Sequence, residues 1–583
     1  MRISVGSPIL TINHGSTFMV TDLNGHIHHD GHLDIFSDDT RYLSYYACYI
    51  DGYPWICLSS TTTTYYAARV YLTNPKFTST DGNVPEGSIS LIISRTVEEG
   101  IHEELDLTNY GAEPVSFSLE IAMRSDFADI FEVERRQFVR RGRIETTWDR
   151  EKKELRTSYT NGDFYRCLIY QIHNCTSTPY SANGRITFEV KLEPTESWHA
   201  SCNYILVDNG RVRSRVDFSY KTAVDRNIIN TEIERLHCQW VNSVTEMKST
   251  NENLNLLYRQ CVEDIGALRL YDYDLAPDVW IPAASVPKFV TVFGRDSIIV
   301  SLQNMITHAG FALGTLKKLG QLQATELDDW RDAQPGKILH EIRTGELARL
   351  GQIPHTPYYG TADATPLYLI LLHEAWKWLG DTSLLHEQRD VALRCLEWID
   401  KYGDLDGDGF QEYQMRCNSG YGIENQGWKD SGDAIVYPDG TQVKAPKALC
   451  ELQGYVFDAW MRMAEVFDVL GEREFSGELR RKAAKLRQSF EESFWCDDIG
   501  FYAFTSTPTK NQSKQYLPIP VTVCGVVLLA QNVLNVWLSA YLHRICGLAG
   551  VSALYLHKIL HIIRFLTIAA LSGPTITVSL LWD

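Results

Sequence analysis

An antiparallel β-sandwich followed by an α/α toroid is the fold class this sequence predicts, and three observations predict it. Up to about residue 240, short stretches with period-two patterning alternate with turn clusters. From about 250 to 500 the apolar residues recur at i, i+3 and i+4 instead. Long polar loops rich in Trp and Gly separate alternate helices of that second region.

The first region, 1–240, is read as the sandwich from runs such as "GSTFMVTD", "SISLIISRTV" and "VSFSLEIAM", separated by "DLNG", "STDGNVPEGS" and "TNYGAEP". The second, 250–504, is read as helices over "NENLNLLYRQCVEDIGALRL", "DSIIVSLQNMITHAGFALGTLKKLGQL", "ADATPLYLILLHEAWKWLG", "LLHEQRDVALRCLEWIDKYG", "ALCELQGYVFDAWMRMAEVFDVLG" and "FSGELRRKAAKLRQSFEESFW". Several of these stop at Gly, which accepts the left-handed conformation that ends many helices. The loops "ATELDDWRDAQPGKILHEIRTGE" and "NSGYGIENQGWKDSGDAIVYPDG" then fall on one face of the toroid, where chemistry is expected.

Composition narrows the function. At 583 residues, 44% hydrophobic and 22% charged, the chain is globular, with room for two or three cores. A net charge of −18 argues against a nucleic-acid partner, which needs clustered Lys and Arg, and leaves a neutral substrate open. The thirteen Cys include no CxxC pair, so a reduced cytoplasmic protein is expected. "MRISVGSPILTINHGSTF" lacks the apolar core and cleavage site of a signal peptide.

Four acid-rich stations carry the candidate chemistry. In "FGRDSI", Asp296 reads most simply as a helix cap and Arg295 as a partner for a carboxylate, although together they can grip vicinal sugar hydroxyls. In "LHEIRTGE", Glu341 and Arg343 taken alone are a solvated helix start. In "HTPYYGTADAT", Tyr358 and Tyr359 offer stacking faces or are simply packed, and Asp363 reads as an N-cap. In "NQGWKDSGDAI", Asp430 and Asp433 flank a Gly-rich turn beside Trp428, whose apolar face can raise a carboxyl pKa and suit it to general-acid work. Upstream, Asp404, Asp406 and Asp408 match the first half of a calcium loop, but Met415 stands where the bidentate Glu is expected. A plain Asp-Gly turn competes with structural Ca²⁺ there, and no other cofactor is required.

Taken together the stations resemble a known family. "LDIFSDDTRYLSYYACYIDGYPWICLSS", "VYLTNP", "VFGRDSI", "HEIRTGELA", "YYGTADATPLY", "DGDGFQEY", "NQGWKDSGDAI" and "ELQGYVFDA" occur in the order found in bacterial amylo-α-1,6-glucosidase (glycogen debranching) proteins, over residues 1 to about 504. The resemblance implies a β-sandwich and a glucoamylase-like (α/α)6 barrel that is incomplete at the C-terminus here. It implies hydrolysis of α-glucosidic bonds in an α-glucan or oligosaccharide with inversion, by two carboxyls far enough apart to admit a water. Asp430 then matches the general acid, with Asp433 as second choice. Arg295 and Asp296 match residues holding the non-reducing sugar, lined by Glu341, Tyr359, Asp363 and Trp428. The family's general base is a Glu of the last helices, and the last Glu of this chain is Glu492.

Residues 505–583 resemble nothing in the family as written. No Asp or Glu occurs from Thr505 to Trp582, although the chain carries 73 of them. When the codons are regrouped to begin on their third base, Leu517 to Gly525 permit "SNPGHCLW", Arg544 to Leu554 permit "DMWSGWGIRT" and Ser572 to Thr577 permit "WPHDN". These match the family's continuation. The tail is therefore expected to be the product of a one-base deletion near codon 505, with no native domain. The chain as written is then expected to lack the base and the barrel closure, to be poorly soluble and to hydrolyse negligibly. Two alternatives compete. "VTVCGVVLLAQNVLNVWLSAYL" and "YLHKILHIIRFLTIAALSG" have the length and flanks of a membrane anchor. A truncated, non-catalytic glycan-binding protein is the third reading.

Overall fold

The computed structural model describes residues 8–28, 33–80, 82–213, 232–272, 275–276, 278–437, 439–497 and 501–506. The tail from 507 to 583, with both apolar stretches read as a membrane anchor, lies outside the described residues. No helix among those described is long and apolar enough to cross a membrane.

The N-terminal region is antiparallel throughout. Its largest sheet runs Arg143–Asp149, Glu154–Asn161, Phe164–Cys175, Ser197–Asp208, Ile101–Asn109, Ile89–Val97, Ala67–Thr73 and Ile56–Thr64, with Arg211–Arg213 alongside Ser197–Asp208. A second sheet runs Tyr180–Ala182, Arg185–Leu192, Val115–Arg124, Tyr45–Ile50 and Tyr53–Pro54. Ile89–Val97 and Val115–Arg124 alternate buried and half-buried residues along their length, as a strand with one inward face must. Leu91, Ile93, Leu105, Leu119, Ile121, Phe188 and Trp198 fill the space between the sheets. A smaller sheet of Ile9–His14, Thr17–Asp22, Ile35–Ser37 and Thr40–Leu43 completes the region. A short helix, α1 (Ile130–Arg135), capped by Asp129, lies within the region between strands Val115–Arg124 and Arg143–Asp149.

Helices α2 (Glu232–Ser243) and α3 (Glu252–Ala267) open the second region. Trp240 packs between them against Trp280 and Phe311, and its indole leaves no room for a side chain at Gly266. Three antiparallel hairpins follow: α4 (Gly294–Asn304) with α5 (Gly310–Gln321), α7 (Ala364–Leu379) with α8 (Ser383–Tyr402), and α9 (Cys450–Val469) with α10 (Arg473–Phe494). A single turn, α6 (Glu346–Arg349), lies between the first two. Helix α7 is buried along most of its length because it packs against both α4 and α9. The inner row is therefore α4–α7–α9, with α5, α8 and α10 outside. The three hairpins lie side by side, and the closed six-hairpin ring expected from the sequence is not seen among the described residues.

Short turns join the helices within each hairpin, whereas 322–363 and 403–449 join one hairpin to the next. All long connections therefore lie at one end, where the inner helices begin. The helical core also takes in Phe18, Val20, Phe36 and Ile130, so the two regions share apolar contacts. The last described strand, Thr505–Ser506, pairs with Ala448–Leu449 just before α9.

Candidate functional site

Each inner helix delivers an acid to the loop end of the structure. Asp296 lies in the first turn of α4, Asp363 at the N-cap of α7, and Glu451 in the first turn of α9. Helix N-termini present unpaired N–H groups and a partial positive charge, which favour carboxylates. Neither Asp296 nor Asp363 caps its helix through its side chain, contrary to the simplest sequence reading. Their work is done elsewhere.

Arg295 is the hub. Its buried guanidinium donates from Nη1 to Asp363 Oδ2 at 3.2 Å and to the Gly427 carbonyl at 2.8 Å, and from Nη2 to Asp430 Oδ2 at 2.7 Å. Burial opposes its charge, yet Asp363, Asp296 and Asp430 together hold it above its ordinary value. Asp363 is fully buried, and its other oxygen accepts from Thr361 Oγ1 at 2.7 Å. Asp296 is half-buried beside it.

The loop from Asn425 to Ile435 brings Trp428 and Asp430 to this hub. It is pinned by Lys447 Nζ donating to Asn425 Oδ1 at 2.6 Å and by Asn425 Nδ2 donating to the Ser431 carbonyl at 2.7 Å. Gly427 lies so close to α9 that a Cβ would press on Leu449 and Glu451. Asp430 and Trp428 are the accessible members, with 37% of the Asp430 side chain and 38% of Trp428 exposed. The charged neighbour of Asp430 is the Arg295 guanidinium. Asp433 is exposed on the same loop.

Glu341 and Arg343 are buried in an extended segment rather than solvated at a helix start. Glu341 bridges to Phe293 on one side and Tyr358 on the other. His355 Nε2 lies 3.0 Å from its Oε1, and Arg343 Nε donates to Oε2 at 2.8 Å. Burial alone would push this carboxyl up; His355 and Arg343 outweigh it and bring it down to about 2. The preceding residue, His340, is also buried, and its backbone carbonyl accepts the Gly294 N–H at 2.9 Å, next to Arg295. Burial keeps its imidazole below the ordinary value.

Tyr359 lies in the helical core, 4% exposed, with its hydroxyl donating to the Leu322 carbonyl at 2.7 Å. Tyr358 is wholly buried, and its hydroxyl accepts from Ile423 N at 2.8 Å. Neither ring presents an open stacking face; the packed alternative describes both.

Three candidate residues, two at this site and one in a separate acidic cluster, are not legible in the sequence alone. Glu451, 3% exposed, accepts the Trp428 N–H at 3.0 Å; burial, reinforced by Asp363, pushes it up to about 7. It lies in "ELQGYVFDA", where its position reads only as a first-turn acid. His340 is hidden in the same way beside Glu341. The third is Glu412, which joins Asp404 and Asp406 in a cluster whose carboxylate oxygens lie within 4.8 Å of one another. Burial, with Asp406, Asp408 and Asp404 adding to it, pushes Glu412 up to about 7. Asp404 accepts from the N–H groups of Gly407, Asp408 and Gly409, which shape a tight turn at Gly407 and Gly409, both left-handed. All-oxygen donors on such a loop fit a hard divalent cation such as Ca²⁺. Asp408 is occupied with the Phe410 N–H at 2.9 Å.

Residues 12–203 match the family of N-terminal domains of (some) glycogen debranching enzymes. No curated protein sequence matches the chain. Among solved structures, a candidate kojibiose phosphorylase from the human microbiome shares the fold with TM-score 0.50 and 8% identity, over 85% of this chain and 69% of that one. A bacterial glucoamylase complexed with acarbose aligns with TM-score 0.48 and 11% identity, over 88% of this chain and 73% of that one. The β-rich N-terminal region with helical hairpins downstream is thus an arrangement shared with the kojibiose phosphorylase structure.

Proposed function

We propose that this site is that of a cytoplasmic glycoside hydrolase acting on α-glucosidic bonds, of the amylo-α-1,6-glucosidase, or debranching, type. The observation that carries the reading is the buried Arg295 holding Asp430, half-exposed beside Trp428, at the convergence of three inner helices. The substrate is an α-glucan or oligosaccharide, without a nucleic-acid or membrane partner. Arg295 and Asp296 orient the non-reducing sugar against Trp428. Asp430 protonates the glycosidic oxygen as the bond to the anomeric carbon breaks, with Asp433 the second choice for that role. In an inverting reaction a separate carboxylate takes a proton from the attacking water. Glu451 is not assigned that role, because it is buried and engaged with the Trp428 N–H. No Glu follows Glu492, so the chain as written is proposed to bind sugar without turning it over. Asp404, Asp406 and Glu412, with Asp408 adjoining, are proposed to hold Ca²⁺ as a structural ion.

Resequencing the gene across codons 495 to 520 is the first test, with one additional base expected. The protein encoded by the restored frame should release inverted glucose from α-1,6-linked oligosaccharides, and Asp430→Asn should abolish this. Glucose 1-phosphate formed only with inorganic phosphate would move the reading to phosphorolysis. Hydrolysis by the 583-residue chain itself, lost in Asp430→Asn, would refute its inactivity. Retention on glycogen without turnover by the restored protein would leave a binding role. Resistance of the 583-residue chain to carbonate, with release by detergent, would favour a membrane anchor.

A further inference from the structure

The segment Arg343 to Leu347 belongs to the helical region by sequence, yet the sandwich holds every residue of it. Asp39, in the turn between Ile35–Ser37 and Thr40–Leu43, accepts from Arg343 Nη1 at 3.0 Å and from the Thr344 N–H at 2.9 Å. Arg166 Nη2 donates to the Thr344 carbonyl at 3.3 Å. At Gly345 a side chain would overlap the Asp129 carboxylate. Glu346 Oε1 accepts from Tyr159 at 2.5 Å and Asn161 at 2.9 Å, and the Leu347 N–H donates to Asp129 Oδ2 at 3.0 Å.

The grip does not stop there. Arg343 also donates to Glu341 Oε2 at 2.8 Å, and Glu341 meets His355 at 3.0 Å, so Asp39–Arg343–Glu341–His355 is one continuous chain. All four side chains are less than a tenth exposed. The turn that supplies Asp39 is itself strained, with Asp38 at φ 46° and Asp39 at φ 59°. Left-handed non-glycine residues persist where surrounding structure over-determines them. Here Arg213 pairs with Asp38, and Arg343 and Thr344 bind Asp39.

We propose that Asp39 of the sandwich is a positioning residue for the site: by fixing Arg343 it fixes Glu341, and with it the extended segment that pairs with Phe293 and whose His340 carbonyl accepts the Gly294 N–H at 2.9 Å, next to Arg295. The functional half of this inference rests on the saccharide reading of the site; the structural half does not. Without Asp39, the buried guanidinium keeps Glu341 and a 3.4 Å contact to the Lys288 carbonyl, and its second charge partner is gone. The segment then loses its register against Phe293, next to Arg295. Small displacements of positioning groups suffice to cost a site roughly tenfold or more.

The test uses the purified 583-residue chain, its Asp39→Ala and Asp39→Asn variants, and Asp51→Ala as a control. Asp51 accepts the Ser118 N–H at 2.7 Å within the sandwich, away from the segment, so its loss reports generic destabilisation. Binding of 1-deoxynojirimycin is measured by calorimetry, and amide exchange across 338–347 by mass spectrometry. Both Asp39 variants should raise Kd about tenfold, with faster exchange in Asp39→Ala and neither change in Asp51→Ala. Asn keeps an acceptor for Thr344 but loses the charge that holds Arg343. Wild-type affinity in Asp39→Asn would therefore overturn the route through Arg343. Unchanged Kd and exchange in Asp39→Ala, or equal losses in Asp51→Ala, would overturn the proposal. If the wild-type chain binds no iminosugar, the saccharide reading falls and exchange alone decides the positioning role: selective loss of protection in Asp39→Ala upholds it, and unchanged protection refutes it.

Discussion

Replacing Glu451 with Gln should stabilise the protein at neutral and alkaline pH and leave it nearly unchanged in acid. The carboxyl sits at about 7 in the folded chain against an ordinary 4.5, because burial and Asp363 disfavour its charge. Below 4.5 the folded and unfolded chains both hold the proton, and the group costs nothing. Between the two values the folded chain binds more protons than the unfolded one, so stability falls as pH rises. Above 7 the carboxylate is ionised in both states and the full cost is present. At 1.36 kcal/mol for each pH unit separating the two values, that cost is about 3 kcal/mol. Glutamine is neutral and keeps an oxygen for the Trp428 N–H. Urea unfolding of both proteins at pH 5.5, 6.5, 7.5 and 8.5 gives the difference directly. Asp129 and Glu412, also pushed up to about 7, contribute equally to both proteins and cancel. A gap that widens toward pH 8 is expected. A gap independent of pH, or one that closes as pH rises, would refute the argument.

Arg295→Met should destabilise the fold by about 3–5 kcal/mol in denaturant titrations, because Asp363 is left buried without its cation. Arg295→Lys should not restore iminosugar binding, since one ammonium cannot reproduce the planar fork that meets Asp363, Gly427 and Asp430. Ca²⁺ at a hundred times its Kd should stabilise the protein by about 2.7 kcal/mol, reversibly with chelator, and Glu412→Gln should remove the effect in calorimetric scans. Gly345→Ala should cost about 1–3 kcal/mol of unfolding free energy by forcing Asp129 out of place.

Much of the architecture is legible in the chain because periodicity is a direct imprint of which face is buried. Ile89–Val97 alternates in sequence and in burial, and the outer helices α8 and α10 bury residues three and four apart. The site is less legible because the same residue type serves opposite ends. Asp363 occupies an N-cap position, yet its carboxylate turns inward to Arg295, a contact 68 residues away in sequence. Glu341 is the conspicuous acid of its segment, yet its carboxylate is buried against Arg343 and His355 rather than presented to solvent. Tyr359 looks equally suited to a sugar and to a core; only the Leu322 carbonyl decides it. Glu412 escapes a rule that expects the closing acid at the twelfth position, because here the ninth residue counted from Asp404 joins the cluster.

The placement of the short turns has an engineering consequence. Because every candidate residue reaches the site from the end where the inner helices begin, the opposite end of each hairpin is free of chemistry. Gly380 to Ser383, which joins α7 to α8, is exposed along its whole length. Cutting there would divide the chain into two fragments, one carrying Arg295 and Asp363 and the other Asp430 and Glu451. Each fragment would hold half of a charge network that neither can complete, so a split reporter built at this turn would register reassembly through the Arg295–Asp430 contact.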